Sequence, residues 1–250
     1  MTKERVSSGV AGLDTMLGGG YVTGRTMLVA GGPGTGKTIL TWHFLFEGIA
    51  NDENVVLVSL DQGQETIVTD ISEFGWRPDR AVKSGNLTIL SGKLDIVPTD
   101  DHYEYVISFE EPFLREQPLT VPRLAELINK KAKETDASRI AIDGLGPLVE
   151  LAGDEFRVRQ LVYGFIQDLN SRNNTILLTH ELRKSNQANN DLPYFLSDGV
   201  IELDMLYSSG DYVRTMRIVK VRGIKHVMKP VMFKISDDGI VAFPEARLPE

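Results

Sequence analysis

Lys37 and Thr38 close the octapeptide Gly31-Gly32-Pro33-Gly34-Thr35-Gly36-Lys37-Thr38, whose spacing is G-x-x-x-x-G-K-T. Those residue types at that spacing suit one kind of chemistry, the cradling of a phosphate chain. Glycines let backbone N–H groups turn inward around a triphosphate, and a helix starting at the lysine adds its partial positive charge. Lys37 would reach the β- and γ-phosphates as a point charge, and the Thr38 hydroxyl would join a bound Mg²⁺. The predicted binding set is Gly32, Pro33, Gly34, Thr35, Gly36, Lys37, Thr38 and Ile39. A chance glycine-rich turn is the alternative, and the context speaks against it. Thr26 to Ala30 reads as a buried strand, and Ile39 to Phe46 is apolar enough to be a helix packed on a sheet.

A phosphate loop needs partners. Asp143 ends the apolar run Arg139-Ile140-Ala141-Ile142, where a second acidic group must sit to hold Mg²⁺, usually through water. The alternative is a loop-opening aspartate that caps the turn at Gly144. Hydrolysis also needs a base or water-orienting group near the γ-phosphate. Asp61 and Gln62 follow the strand after the loop helix and are the candidates, with Lys37 as the third catalytic residue. Thr179-His180-Glu181 closes another strand on the same edge, where polar side chains could sense phosphate. For His180 and Glu181 a plain surface turn is an equal alternative.

The elements that must position these groups alternate. Leu13, Met16 and Leu17 mark a short helix broken by Gly18-Gly19-Gly20. Val55 to Leu60 is a β-branched run typical of a strand covered on both faces. Ile67, Ile71 and Phe74 recur at helical spacing, and Leu87 to Leu90 is a third strand. Helices are predicted over Val121 to Thr135 and from about Asp154 to Arg172, with strands at Arg139 to Asp143 and Thr175 to Thr179. This order implies a parallel sheet with helices on both faces. Val200 to Leu206, Val213 to Arg222, Val231 to Ile235 and Ile240 to Phe243 then read as hairpins appended to that sheet. Residues 92–120 are rich in acid, proline and aromatics, and offer only a short strand at Tyr105 to Phe109. So long a stretch in a compact domain is expected to be a functional insertion or disordered.

The 250 residues suit one α/β domain. With 42% hydrophobic and 25% charged residues the composition is that of an ordinary globular protein. The absence of cysteine excludes disulfides, thiolate metal sites and cysteine nucleophiles. No apolar run approaches the ~20 residues of a membrane span, and Met1 to Val10 has no apolar core like that of a signal peptide. A cytoplasmic protein without membrane partners is expected. The net charge of −8 argues against nucleic acid as a main partner.

The order of these pieces resembles the KaiC-like branch of the RecA-type P-loop ATPases, over nearly the whole chain. The resemblance is carried by SSGVAGLDTMLGGGYVTGRTMLVAGGPGTGKT, by IAIDGL and TILLTHE, and by FLSDGVIEL and RTMRIVKVRGIKHVMKPVMFKISDDGI. It implies a RecA-like core with C-terminal antiparallel hairpins, ATP and Mg²⁺ as cofactors, and a homo-hexameric ring with nucleotide at subunit interfaces. The K-x-R-G-x-x-H segment is more specific than a phosphate loop alone. In the family its Lys and Arg point at the γ-phosphate held by the next subunit, and its His lies near the ribose; by position these are Lys220, Arg222 and His226. Without the resemblance, the same segment would read as an exposed basic strand.

Two departures matter. The family often carries two adjacent glutamates where this chain has Asp61-Gln62. Aspartate is one methylene shorter, and an amide orients water but takes no proton. A shift of about 1 Å can cost about 100-fold in rate, so slow hydrolysis is expected, with Asp61 as the base. Glu110-Glu111 is the obvious Glu-Glu pair but falls in residues 92–120 and reads as a surface feature. One member of the family carries a phosphoacceptor Ser-Thr pair near the position of Leu192-Pro193, neither of which accepts phosphate, so autokinase activity is disfavoured.

Three readings stay open. The chain is an ATPase whose hydrolysis drives assembly or conformational signalling, with itself and a protein partner as contacts. Alternatively, ATP only glues subunits together with negligible turnover. Thirdly, the chain is a recombination accessory on single-stranded DNA, which Leu182 to Phe195 would contact through Arg183, Lys184 and Tyr194 or Phe195. Two cations are few for backbone binding, so a solvated loop is favoured there.

Overall fold

The computed structural model describes residues 4–60, 62–98, 103–109, 119–151, 155–169, 174–182, 192–208, 210–246 and 248. A two-strand pair, β1 (Arg5–Val6) and β2 (Tyr21–Val22), brackets helix α1 (Ala11–Leu17). The phosphate-loop unit is β3 (Thr26–Gly31) followed by α2 (Lys37–Ala50). After it come β4 (Asn54–Ser59), α3 (Gln64–Ser72), α4 (Pro78–Ser84), β5 (Leu87–Pro98), β6 (Tyr103–Phe109), β7 (Leu119–Thr120) and α5 (Val121–Glu134). Next are β8 (Ala137–Asp143), α6 (Gly146–Leu151), α7 (Glu155–Leu169), β9 (Thr175–Glu181) and α8 (Leu192–Leu196). Four strands close the chain: β10 (Gly199–Ser208), β11 (Asp211–Val221), β12 (Val231–Ser236) and β13 (Gly239–Phe243).

Eleven of these strands form one sheet in the order β13-β12-β11-β10-β3-β9-β8-β4-β5-β6-β7. Its centre, β10-β3-β9-β8-β4-β5, is parallel, as alternating strands and helices require. Strand alternation sorts the core into two layers. Met27, Val29, Val55 and Leu57 meet Leu13 and Met16 of α1, Leu40 and Phe44 of α2, and Ile67 and Ile71 of α3 on one face. Leu28, Ala30, Val56 and Val58 meet Leu124 and Ile128 of α5, Leu148 of α6, and Phe165 and Ile166 of α7 on the other. Both faces are covered, which is why these strands read as continuous apolar runs.

Two differences from expectation concern pairing, and a third concerns short helices. Strand β10, expected within appended hairpins, is a sixth parallel strand: Gly199 to Leu203 pair with Met27 to Gly31. It also pairs antiparallel with β11, so it joins the two parts of the sheet. Residues 92–120 are not one long loop, because β5 runs on to Pro98 and pairs with β6, and β6 pairs with β7. A continuous ladder satisfies the backbone that an irregular loop would leave exposed. The helices α4, α6 and α8 were not anticipated; each is seven residues or shorter, too brief for a helical period to stand out.

Candidate nucleotide site

The phosphate loop follows β3, between β10 and β9, with Leu203 beside Gly31 on one side and Glu181 beside it on the other. The loop's path needs glycine at Gly34 and Gly36, whose φ of 72° and 103° lie in the left-handed region. At Gly36 a Cβ would also approach Ile235 Cδ1 to 3.1 Å. Gly36 caps α2 without any side-chain hydrogen bond, so the first-turn N–H groups of α2 are left to an anion. Thr35 Oγ1 donates to Gly32 O at 2.8 Å, and Lys37 Nζ donates to Gly31 O and Gly32 O, both at 2.9 Å. Burial draws the Lys37 ammonium below the usual lysine range, against the opposing charges of Glu181 and Asp143.

Asp143 stands at the end of β8. Its Oδ1 accepts a 2.6 Å bond from Thr179 Oγ1, and the same hydroxyl accepts the Gly144 N–H at 2.7 Å. Thr179, buried at the end of β9, thus fixes the Asp143 carboxylate and the turn behind it. Ser59 pairs beside Asp143, so the chain leaving β4 passes next to that carboxylate. Gln62, exposed, has its N–H bonded to Ser59 Oγ at 3.2 Å. Asp61 lies outside the described residues, as do Arg183 and Lys184 and the Glu110-Glu111 pair.

Among the described residues, no three His, Asp or Glu side chains converge as an all-protein metal cage. The Thr38 hydroxyl and the Asp143 carboxylate are hard oxygens of the kind Mg²⁺ takes, beside waters and substrate phosphates. Thr38, at the second position of α2, and Asp143 would hold it, and the ion would offset charge on the transferring phosphoryl group.

His180 pairs beside Ala30, one residue before the loop, and is buried with no hydrogen-bond partner at either ring nitrogen. Burial first, and the Lys37 charge second, hold it down to about 4. An orphaned polar group this close to the loop fits a site that receives a polar ligand. A cavity of about 500 Å³ opens beside the loop between Gly34, Lys37, Thr38, Ile39, Phe74, Arg214 and Ile235. Arg214 reaches toward Gly34 O at 3.4 Å. Sequence reading missed Phe74, Arg214 and Ile235 as lining residues. They come from α3's trailing turn, β11 and β12, and no local motif joins them.

Lys220, Arg222 and His226 are not with the loop. Lys220 pairs beside Val200, which pairs beside Leu28, about 10 Å below Gly31 along the strands. A register shift at Val200/Ile201 leaves Val219 as an extra residue in β11. Ile218 therefore packs on the α2 side, while Lys220 aligns with Val200 of the α7 side. Bulges re-aim side chains in this way. Arg222 Nη2 donates to Phe195 O at 2.9 Å, and neither ring nitrogen of His226 has a partner.

A parallel sheet covered on both faces, with a glycine loop and an acidic strand end at its carboxyl edge, defines a P-loop ATPase domain of the RecA type. The family model described as ATPase: KaiC matches residues 6–247. The chain belongs to that family, as a nucleotide-binding ATPase domain. It is 28% identical to a UPF0273 protein of Thermotoga maritima, with 96% of each chain covered. The circadian clock oscillator protein KaiC of Parasynechococcus marenigrum is 29% identical over 98% of this chain, which spans 46% of that longer protein. The crystal structure of a KaiC-like protein from Pyrococcus horikoshii superimposes with a TM-score of 0.80 at 26% identity, covering 97% of this chain and 100% of the other. No helix among the described residues is long and apolar enough to cross a membrane.

Proposed function

We propose that the whole chain acts as one Mg-ATP-dependent, ring-forming ATPase domain with slow hydrolysis, whose nucleotide state drives assembly or conformational signalling. In this reading the loop from Gly32 to Ile39 holds the phosphates, Thr38 and Asp143 hold the metal, and Asp61 takes the proton of the attacking water with Gln62 orienting it. Arg214 and Phe74 line the remainder of the nucleotide cavity. The observation that carries the reading is the separation of Lys220 and Arg222 from the chain's own loop, at the opposite end of β11 from Arg214. Cations so placed have no phosphate of their own to meet, whereas a head-to-tail neighbour would supply one.

Phosphate release from Mg-ATP, measured beside Lys37→Ala and Asp61→Asn, tests the chemistry. Activity lost in both variants supports Asp61 as the base; activity lost only in Lys37→Ala moves the base elsewhere. Tight ATP binding without turnover would leave a nucleotide-binding module. Sizing with and without Mg-ATP tests the ring, and a monomer under both conditions would rule out the trans role of Arg222.

A further inference from the structure

Four charged side chains crowd the end of the sheet away from the phosphate loop. Arg25 leads into β3, Asp198 leads into β10, Lys220 lies at the end of β11 and Arg222 just beyond it. The Asp198 side chain is only 13% exposed. Its Oδ2 accepts the Thr26 N–H at 3.2 Å, and its Oδ1 meets Arg25 Nη1 at 3.1 Å. Arg222 Nη1 stands 3.9 Å from that same Oδ1 while Nη2 is bonded to Phe195 O. Lys220 also feels this carboxylate: burial and Arg222 lower its pKa, and Asp198 opposes them.

One carboxylate therefore serves two guanidiniums, those of Arg25 and Arg222. Arg25 has the closer contact and Arg222 the looser one, so the hold on Arg222 is weak enough to exchange. A guanidinium with one N–H on Phe195 O and an edge drawn toward Asp198 has part of its donor fork turned to its own chain, and must give that up to meet a phosphate with both arms. A phosphoryl group carries more charge and more acceptor oxygens than a carboxylate shared with Arg25, so exchange favours the phosphate once one is brought close.

We infer that Asp198 is a stand-in anion that keeps Arg222 against its own chain until a neighbouring copy presents a nucleotide phosphate, and that Arg25 sets the strength of this hold by sharing the same oxygen. The inference rests on the trans reading proposed above. Its consequence is a tax on assembly, because only the fraction of chains with Arg222 released is competent to engage a neighbour. Asp198 and Arg25 are thus positioning residues that act through Arg222.

The test is the Mg-ATP concentration for half-maximal assembly of the full chain, followed by light scattering, with a urea unfolding midpoint for each variant. Asp198→Asn keeps an acceptor for the Thr26 N–H and removes the charge. It should lower the half-assembly concentration about two- to fivefold, the scale of a partly exposed ion pair. Arg25→Gln leaves Oδ1 to Arg222 alone and should raise it by a similar factor. A structural role alone would give weaker assembly and a lower urea midpoint in both variants, and that result overturns the inference, as does no change in either. If Asp198→Asn does not fold, Arg25→Gln, at a 44% exposed side chain, decides the matter: a raised half-assembly concentration at an unchanged urea midpoint supports the inference, and a lowered midpoint or unmoved assembly overturns it. Arg222→Ala separates the two levels. Assembly unaffected by Arg222→Ala removes the trans reading itself, whereas assembly weakened by Arg222→Ala but unmoved by the other two overturns only the stand-in role of Asp198.

Discussion

The two ends of the central sheet are finished to different degrees. At the loop end Lys37 rests on two loop carbonyls, Thr35 on a third bond to Gly32, and Asp143 on Thr179, while His180 beside Ala30 lacks a partner. At the far end the guanidiniums of Arg25 and Arg222 share one carboxylate, whose charge also reaches Lys220. An exposed apolar side chain adjoins that cluster, Phe195 at 67%, whose carbonyl is bonded to Arg222. A preorganised cradle costs little reorganisation when charge arrives. An unbalanced cationic cluster beside an exposed apolar side chain is instead what a surface looks like when another chain completes it. In the proposed ring each copy would supply a cradle from one end and the opposing charges from the other.

The largest expected effect erases the loop end. Lys37→Ala should reduce phosphate release to background, since no other described cation is bonded to the Gly31 and Gly32 carbonyls. Breaking the far end should be nearly as severe for turnover but spare the cradle. Arg222→Ala is expected to lower kcat by about 10³-fold or more, the scale of a trans arginine, while equilibrium ATP binding to the dilute monomer changes little. Fluorescent-nucleotide titration beside steady-state rates separates the two ends, and equal loss of binding in both variants would abolish the contrast.

A finer cut tests whether the cradle is held by its neighbours. Thr179→Val removes the hydroxyl that orients Asp143 and satisfies the Gly144 N–H. Outer-shell partners of metal ligands carry about 10- to 100-fold in affinity or activity. The Mg²⁺ dependence of the rate should therefore move to higher concentration, which a purely structural defect would not require.

The smallest effect is on stability against pH. His180 and His43 are both held down to about 4 from 6.5, chiefly by burial. The folded value lies below the unfolded one, so the unfolded chain binds more protons in that window. Stability is then full above the unfolded value and is lost as pH falls toward the folded one. Each histidine should cost about 1 to 2 kcal/mol between about pH 7.5 and pH 5, read as a falling urea midpoint. His180→Leu should flatten its share of the slope, and an unchanged slope would remove His180 from the account.

Much of the loop end was legible because it is written in contiguous residues. The glycine spacing, the buried strand before it and the apolar helix after it are local, and Asp143 was placed by its position at a strand end. Thr179 was visible only as a member of a polar triplet, since its bond to Asp143 crosses 36 positions. Arg214 and Phe74 carried no signal, because their meeting depends on β11 and α3 converging on the loop. The re-aiming of Lys220 was hidden as well: Met216, Ile218 and Lys220 alternate evenly, and only the pairing partner reveals the extra residue at Val219.

Residue type and spacing alone determined the phosphate loop, the parallel core, the lack of thiol chemistry and the family likeness that pointed to Lys220, Arg222 and His226. These follow from local geometry, because a glycine turn or an apolar period constrains its own backbone wherever the chain goes. Tertiary structure decided which strand lies beside which and which side chains share an end of the sheet. It put β10 beside β3, gave the carboxylate of Asp198 to the guanidiniums of Arg25 and Arg222, and set the loop and the Lys220–Arg222 pair apart. Pairing order and register depend on contacts between residues far apart in the chain, and those exist only once the sheet has formed.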